Sequence, residues 1–414
     1  MRRKRGAAFI MALVALVILT MVIVSAAAQS RSILIAQNHR LDLGGAERMA
    51  DSAVQFALAQ MQEVDTTVVT NDDDWAIIGD AGDQAVYIGN EYFRVEIIDA
   101  GSRINLNRAP LEQLQQLPLE IEQIESLLDW REPDLQPRLE GAKDEYYNTL
   151  ENPYNVKLRV FDTVDELLLV RGFDPYTLYE IPENTTGSTL GTNLSEELPP
   201  LYELLTVDSQ ALNQNPQGDP KSNVNNASIG QLIQAGLDAP IAVAIVRQRN
   251  QQGTYSSWAQ LLQVQGITLQ NAELLLDNLT LETTEEVTGL INLNTASEAA
   301  IASLPGVTPD IANAIISRQA TFSTQGDLTG VPGINLNILG QLAGQTTVGG
   351  TTFIIRALGV SDTRQVALQV TVRIIEGVPT ILRKETYPFV DAVVRWGWQD
   401  EAASETTLVE LSGL

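Results

Sequence analysis

The sequence predicts an α+β chain: a long N-terminal helix packed on a small antiparallel sheet, the sheet interrupted by a large helical domain built from repeats. Three observations predict it. A basic cluster precedes an uncharged apolar run at the start of the chain. Alternating β-branched segments occur before residue 100 and again after residue 350. Between them, one short asparagine-rich phrase returns three times.

The leader comes first. Arg2, Arg3, Lys4 and Arg5 form the basic cluster, and Gly6 closes it. From Ala7 to Ala28 the chain carries no charge, and Thr20 and Ser25 are its only polar residues. Roughly 22 residues make a helix of about 33 Å, enough to cross a hydrocarbon core. Lys and Arg beside a span stay on the cytoplasmic side, so the mass of the chain lies on the far side. A cleaved secretory signal is the alternative, and the small residues at Ala26 to Ser30 offer it a cleavage site. The apolar run is longer than such a signal needs, which favours a retained single span.

Composition bounds the remainder. A chain of 414 residues, 44% hydrophobic, is long enough for two or three domains with cores of their own. The formal net charge is −26 although four of the 26 basic residues sit in the leader. A body this acidic repels nucleic acid and anionic membranes, and suits divalent cations and basic partners. The absence of cysteine excludes disulfides and a thiol nucleophile. The single histidine, His39, stands close to the span, so a Ser-His-Asp site would have to be built there, and histidine zinc sites lack ligands. No signature marks a pair of catalytic carboxylates, and the chain reads as a non-enzyme.

Past the span the pattern stays helical to about Gln62. Leu43, Ala46, Ala50, Val54, Ala57 and Met61 recur at three- and four-residue steps, with charged residues on the other faces. The helix, residues 7–63 after a leader of 1–6, packs its outer half on the first strands, placed in 64–103. A turn-rich stretch at Asn71 to Asp74 precedes strand patterns at Ala85 to Gly89 and Tyr92 to Ile98. A hydrophobic N-terminal helix running onto a small sheet resembles the architecture of type IV pilin-like proteins.

The inserted helical domain, 104–345, holds the repeats. Ile104-Asn105-Leu106-Asn107 returns as Asn223-Val224-Asn225-Asn226 and again as Ile291-Asn292-Leu293-Asn294. Each copy leads into helical spacing. In the third, Thr295 and Glu298 have the spacing of a capping box, and Gly306 lets a second helix fold back on the first. These units resemble helix-hairpin-helix modules, which usually bind the DNA backbone. Between Gly289 and Gly340, however, Arg318 is the only basic residue, against Glu298, Asp310 and Asp327. Phosphate binding without cations forfeits its main source of affinity, so the units read as interaction or packing modules. A linker at Ile181 to Pro220, rich in Asn, Gln, Pro and Thr, reads as exposed and mobile. Strand patterns resume from about Thr351 and turn at Gly377, so residues 346–414 supply the last strands and a tail.

Several further phrases carry a more specific resemblance: DAGSRINLN at Asp99 to Asn107, DWREPD at Asp129 to Asp134, EGAKDEYY at Glu140 to Tyr147, and DTVDELLLVRGFDP at Asp162 to Pro175. With the RGAAFIMALVALVILTMV start, they resemble the minor pseudopilin K family of bacterial type II secretion systems (general secretion pathway protein K). The resemblance implies cleavage between Gly6 and Ala7 by prepilin peptidase, on the cytoplasmic side. It implies an inner-membrane anchor, a periplasmic body, and a place at the pseudopilus tip, where the subunit starts assembly and aids export of folded proteins. The implied partners are minor pseudopilins I and J, the major pseudopilin and the inner-membrane assembly platform. Most pilin-like subunits carry Glu where this chain has Met11, and that Glu neutralises the terminal amine of a neighbour. A carboxylate in lipid needs such a partner, so a subunit with no neighbour above it is better without one. Met11 fits a tip, although it is equally one more lipid-facing residue. The family also binds calcium in the helical domain. Here Asp129, Asp134, Glu140, Asp144 and Glu145 are the implied ligands, with a solvated acidic loop as the plain alternative. Lys143 departs from the family, which usually has an acidic residue there, and this puts one ligand in question. Two rival functions stand beside this one: a membrane-anchored helix-hairpin-helix DNA receptor, and a minor pilin of a type IV pilus.

Overall fold

The computed structural model describes residues 4–181, 190, 194, 198–362, 364–387 and 392–398. Arg2, Arg3, most of 182–197 and the tail from 399 lie outside the described residues. Helix α1, Lys4–Gln60, runs unbroken for 57 residues, about 86 Å at the usual rise. Its apolar first half is exposed and is long enough to cross a membrane. Its second half lies on a five-stranded antiparallel sheet of β1 (Val86–Ile88), β2 (Glu91–Asp99), β3 (Thr352–Ser361), β4 (Arg364–Ile375) and β5 (Val378–Thr386), in that spatial order. The chain leaves the sheet after β2 and returns in β3, which pairs with β2 as its direct neighbour.

The helix and sheet meet through small residues. Ala46, Ala50, Ala53, Val54, Ala57 and Met61 are buried, facing Phe93, Val95, Ile97, Phe353, Ile355, Ala357, Val370 and Val372. Gly359 shows why the stripe is mostly alanine. A Cβ there would stand 2.1 Å from the Ala46 carbonyl oxygen and 2.2 Å from the Ala50 nitrogen, so the helix backbone rests on the strand. Leu43, expected on this stripe, is exposed instead, because the sheet ends beside Gly45 at Glu91 and Ser361.

Between β2 and β3 the chain folds as three successive units, each closed by two residues of parallel pairing. Ile104-Asn105 pairs with Leu205-Thr206, Ser222-Asn223 with Leu279-Thr280, and Ile291-Asn292 with Thr346-Thr347. Parallel pairing needs a crossover, and the helices of each unit provide it. The asparagines explain the repeated phrase. Asn105, Asn223 and Asn292 each accept the amide of the residue two further on, at 2.9, 2.8 and 3.0 Å. That next asparagine reaches across its unit to the backbone of a buried aromatic residue. Asn107 donates to the Phe161 carbonyl and accepts its amide, Asn225 does the same with Tyr255, and Asn294 donates to Phe322.

Two sequence expectations change. The third unit's first helix begins at Glu298 under Ser297, whose side chain accepts from the Ala300 amide. Thr295 is not the cap, because its hydroxyl is bonded to Asp99. The linker also ends early: Leu198, Leu201, Tyr202, Leu204 and Leu205 are buried, and 201–204 is a helical turn of the first unit.

Gly359→Val should force the helix off the strand. The expected loss is about 1–3 kcal/mol from overpacking, read as a lower melting temperature and faster proteolysis between α1 and β2.

Candidate functional site

The described residues distribute the expected functional positions over four places. At the N-terminus, Gly6 and Ala7 fall in the first turns of α1, and Met11 is 68% exposed on its apolar half.

The acidic loop is the second place. Asp129 stands near the end of the helix Ile121–Arg131, and its side chain is buried. It accepts the Arg138 backbone amide at 3.0 Å and the Arg138 guanidinium at 2.7 Å. Gly141 passes so close that a Cβ would lie 2.0 Å from the Asp129 carboxylate. The Lys143 ammonium donates to the carbonyl oxygens of Asp129 and Glu132. Burial pulls this ammonium below its ordinary value, against the opposing pull of Asp129, Asp134 and Glu132. The other carboxylates turn elsewhere. Asp134 accepts from the Gln136 amide, Asp144 from the Val156 amide, and Glu140 and Glu145 are exposed. Among the described residues, no three acidic or histidine side chains gather as a metal site. The five implied calcium ligands are therefore not brought together, and the one buried carboxylate among them is already paired with Arg138.

The hairpins of the three units are the third place. In a DNA-binding hairpin, free helix N-termini and nearby cations face phosphate. Here Glu120, Asp174 and Asp238 stand as the residues before hairpin helices, putting carboxylates where an anion would sit. Three arginines turn to their own units, while Arg108, Arg159 and Arg247 are exposed. Arg131 donates to the carbonyls of Leu106 and Ala109, and Arg249, at the matching position, to those of Val224 and Ala227. Arg318 lies over the Phe322 ring, 5.2 Å from its centroid. These cations hold the repeats closed.

The fourth place joins the sheet to the helical units. On the sheet face opposite α1, Arg356 of β3 pairs with its cross-strand neighbour Glu96 at 3.3 Å. It also pairs closely with Glu203, which Arg103 holds from the other side at 2.8 Å. Trp398 donates to Glu96, and Arg356 stacks over Trp396 at 5.5 Å. Burial alone would raise the Glu203 carboxyl, but the Arg356 and Arg103 guanidiniums outweigh it and hold the group below its ordinary 4.5. Glu96 is raised, because burial exceeds the help it receives from Arg356 and Trp398. A second tie lies at the end of β2. Asp99 accepts hydrogen bonds from Asn292 at 2.8 Å, Thr295 at 2.7 Å and the Gly101 amide at 2.8 Å. Burial raises the Asp99 carboxyl against these three donors. Sequence reading named Asp99, Asn292 and Thr295 within its phrases but foresaw none of these contacts. Glu203 lies 100 residues from Arg103 and 153 from Arg356, and no local pattern links them.

Arg356→Met should cost about 3–5 kcal/mol, since it leaves Glu96 and Glu203 without their shared counter-charge. The acid limb of stability should carry Glu203's signature. Its contribution is fully present above 4.5 and is lost as pH falls through the lower folded value. Melting temperatures recorded against pH should therefore fall less steeply in Glu203→Gln than in the parent chain as pH drops from 4.5 toward that value.

Comparison with known proteins gives the following. Residues 103–182 match the family model described as type II secretion system (T2SS), protein K. Residues 220–280 and 287–347 each match the helix-hairpin-helix motif. No curated protein matches the chain. Among solved structures, the GspK-GspI-GspJ complex of the type 2 secretion system from enterotoxigenic Escherichia coli is similar. The match covers 87% of this chain and 100% of that one, at 14% identity and a TM-score of 0.41.

Proposed function

We propose that this chain, whose residues 103–182 match the type II secretion protein K model, is the minor pseudopilin at the tip of a periplasmic pseudopilus. Its anchor crosses the inner membrane once, and the body stands in the periplasm. In this reading the chain starts pseudopilus assembly with minor pseudopilins I and J, above the major pseudopilin, and helps to move folded proteins through the outer membrane.

One observation supports this most: the helical units are inserted between two adjacent strands of the sheet that α1 lies on. Displacement of α1 along its axis acts on β2 and β3, and the network around Arg356 passes it to the helical units. A large head carried on one helix suits an end position, where nothing stacks above it. Met11 agrees with that position, because a terminal subunit has no neighbour's amine to neutralise. The DNA-receptor reading has little support, since Arg131 and Arg249 are bonded to carbonyls within their own units.

Three measurements test the proposal. Coexpression with prepilin peptidase should shorten the chain by its first six residues, leaving Ala7 at the N-terminus by mass spectrometry. Gly6→Leu should stay full length, and a parent chain left uncut would overturn the reading. Minor pseudopilins I and J should copurify with the parent chain in detergent. A salt-sensitive shift of duplex DNA by the parent chain would favour the receptor instead.

A further inference from the structure

We propose that Lys143 and Arg138 occupy, with their own charges, the place that a bound cation would fill at Asp129, so that this domain folds without calcium. Calcium takes six to eight oxygens at about 2.3–2.6 Å, drawn from carboxylates and backbone carbonyls. The turn at the end of the helix Ile121–Arg131 presents donors of that kind: the buried Asp129 carboxylate and the carbonyl oxygens of Asp129 and Glu132. Each of them meets an N–H group of this chain. The Lys143 ammonium spans the two carbonyls, while Arg138 covers the Asp129 carboxylate with its amide and its guanidinium.

Charge agrees with geometry. Arg138 bridges Asp129 and Glu132, at 2.7 and 2.6 Å, and Lys143 adds a second positive charge beside them. Arg138 and Lys143 thus set two positive charges against Asp129 and Glu132, with Asp134 also acting on Lys143. The loop's path depends on the same packing. Gly141 runs against the Asp129 carboxylate with no room for a side chain, which keeps Lys143 within reach of the helix end. The remaining acidic residues point away, to the Gln136 and Val156 amides or to solvent. An ion would have to displace Lys143 and Arg138, and bury both cations or expel them, before finding its ligands.

The test uses the full chain in detergent micelles. Melting is recorded with a chelator and with millimolar calcium, and terbium emission is excited through Trp130, next to Asp129. The parent chain should melt at one temperature in both conditions and give no sensitised emission. A melting temperature lowered by chelator would overturn the proposal. So would terbium emission that calcium displaces and Asp129→Asn abolishes. Lys143→Met should melt several degrees lower than the parent. Recovery of that loss by calcium would mark the same spot as cation-shaped and support the proposal, whereas unchanged melting in this variant would overturn it. If Lys143→Met does not fold, the parent chain's melting and emission still decide.

Discussion

Arg356 is the group on which the rest of the architecture turns. A guanidinium buried on a sheet face is tolerable only when anionic partners replace its water. One partner, Glu96, comes from the neighbouring strand, but the other, Glu203, arrives from the far end of the first helical unit. The sheet face therefore cannot be covered by any apolar surface of suitable shape. It demands a carboxylate at one point, with Arg103 behind it. Such a pairing adds less to net stability than its short contacts suggest, because both charges are desolvated. What it supplies is orientation, since a helical domain docked otherwise would leave Arg356 without its second counter-charge.

The opposite face of the sheet works by a contrary rule. There α1 approaches until backbone meets backbone at Gly359, and the interface is alanine, valine and methionine. Close packing without polar atoms makes one rigid joint, and ion pairing makes the other. A continuous helix of 57 residues is thus coupled to a sheet, and the sheet to three helical units, through two interfaces of different chemistry. Asp99 adds a third tie, joining the last residue of β2 to the third unit through Asn292 and Thr295. The same Asn292 also donates to the Val69 carbonyl, so the stretch that follows α1 is held by the unit farthest from it in sequence.

What could be read in the sequence follows from whether a residue's partner is local. The helix stripe from Ala46 to Met61 and the β-branched alternation were legible because helix and strand periods are local properties. So was the thrice-repeated asparagine phrase, whose first hydrogen bond reaches only two residues ahead. Its closing partners, Leu205-Thr206, Leu279-Thr280 and Thr346-Thr347, were not, since two residues of parallel strand leave no periodic trace. Thr295 illustrates the limit. Its spacing to Glu298 is that of a cap, but Asp99, 196 residues away, takes its hydroxyl, and Ser297 caps the helix instead. The acidic loop shows a related limit: carboxylates near in sequence read as a cluster, and only the fold reveals that Arg138 pairs with the buried Asp129 carboxylate.

A common economy of cations emerges. The chain has twice as many acidic as basic residues, 52 against 26. In the described part, six basic side chains are turned to internal acceptors. Arg131 and Arg249 close repeats, Arg138 and Lys143 close the acidic turn, and Arg103 and Arg356 dock the units on the sheet. Exposed basic residues such as Arg108, Arg159 and Arg247 remain, but the excess of acidic residues sets the net charge. Internal pairing of scarce cations leaves an outer face that repels polyanions and keeps copies of the chain apart. In the proposed pseudopilus, contact with other subunits would fall to the apolar half of α1, where exposed Phe9 to Val24 carry no charge to oppose it. On that proposal, an acidic head and an uncharged apolar stem would give the assembly its polarity, the stem among neighbours and the head at the end.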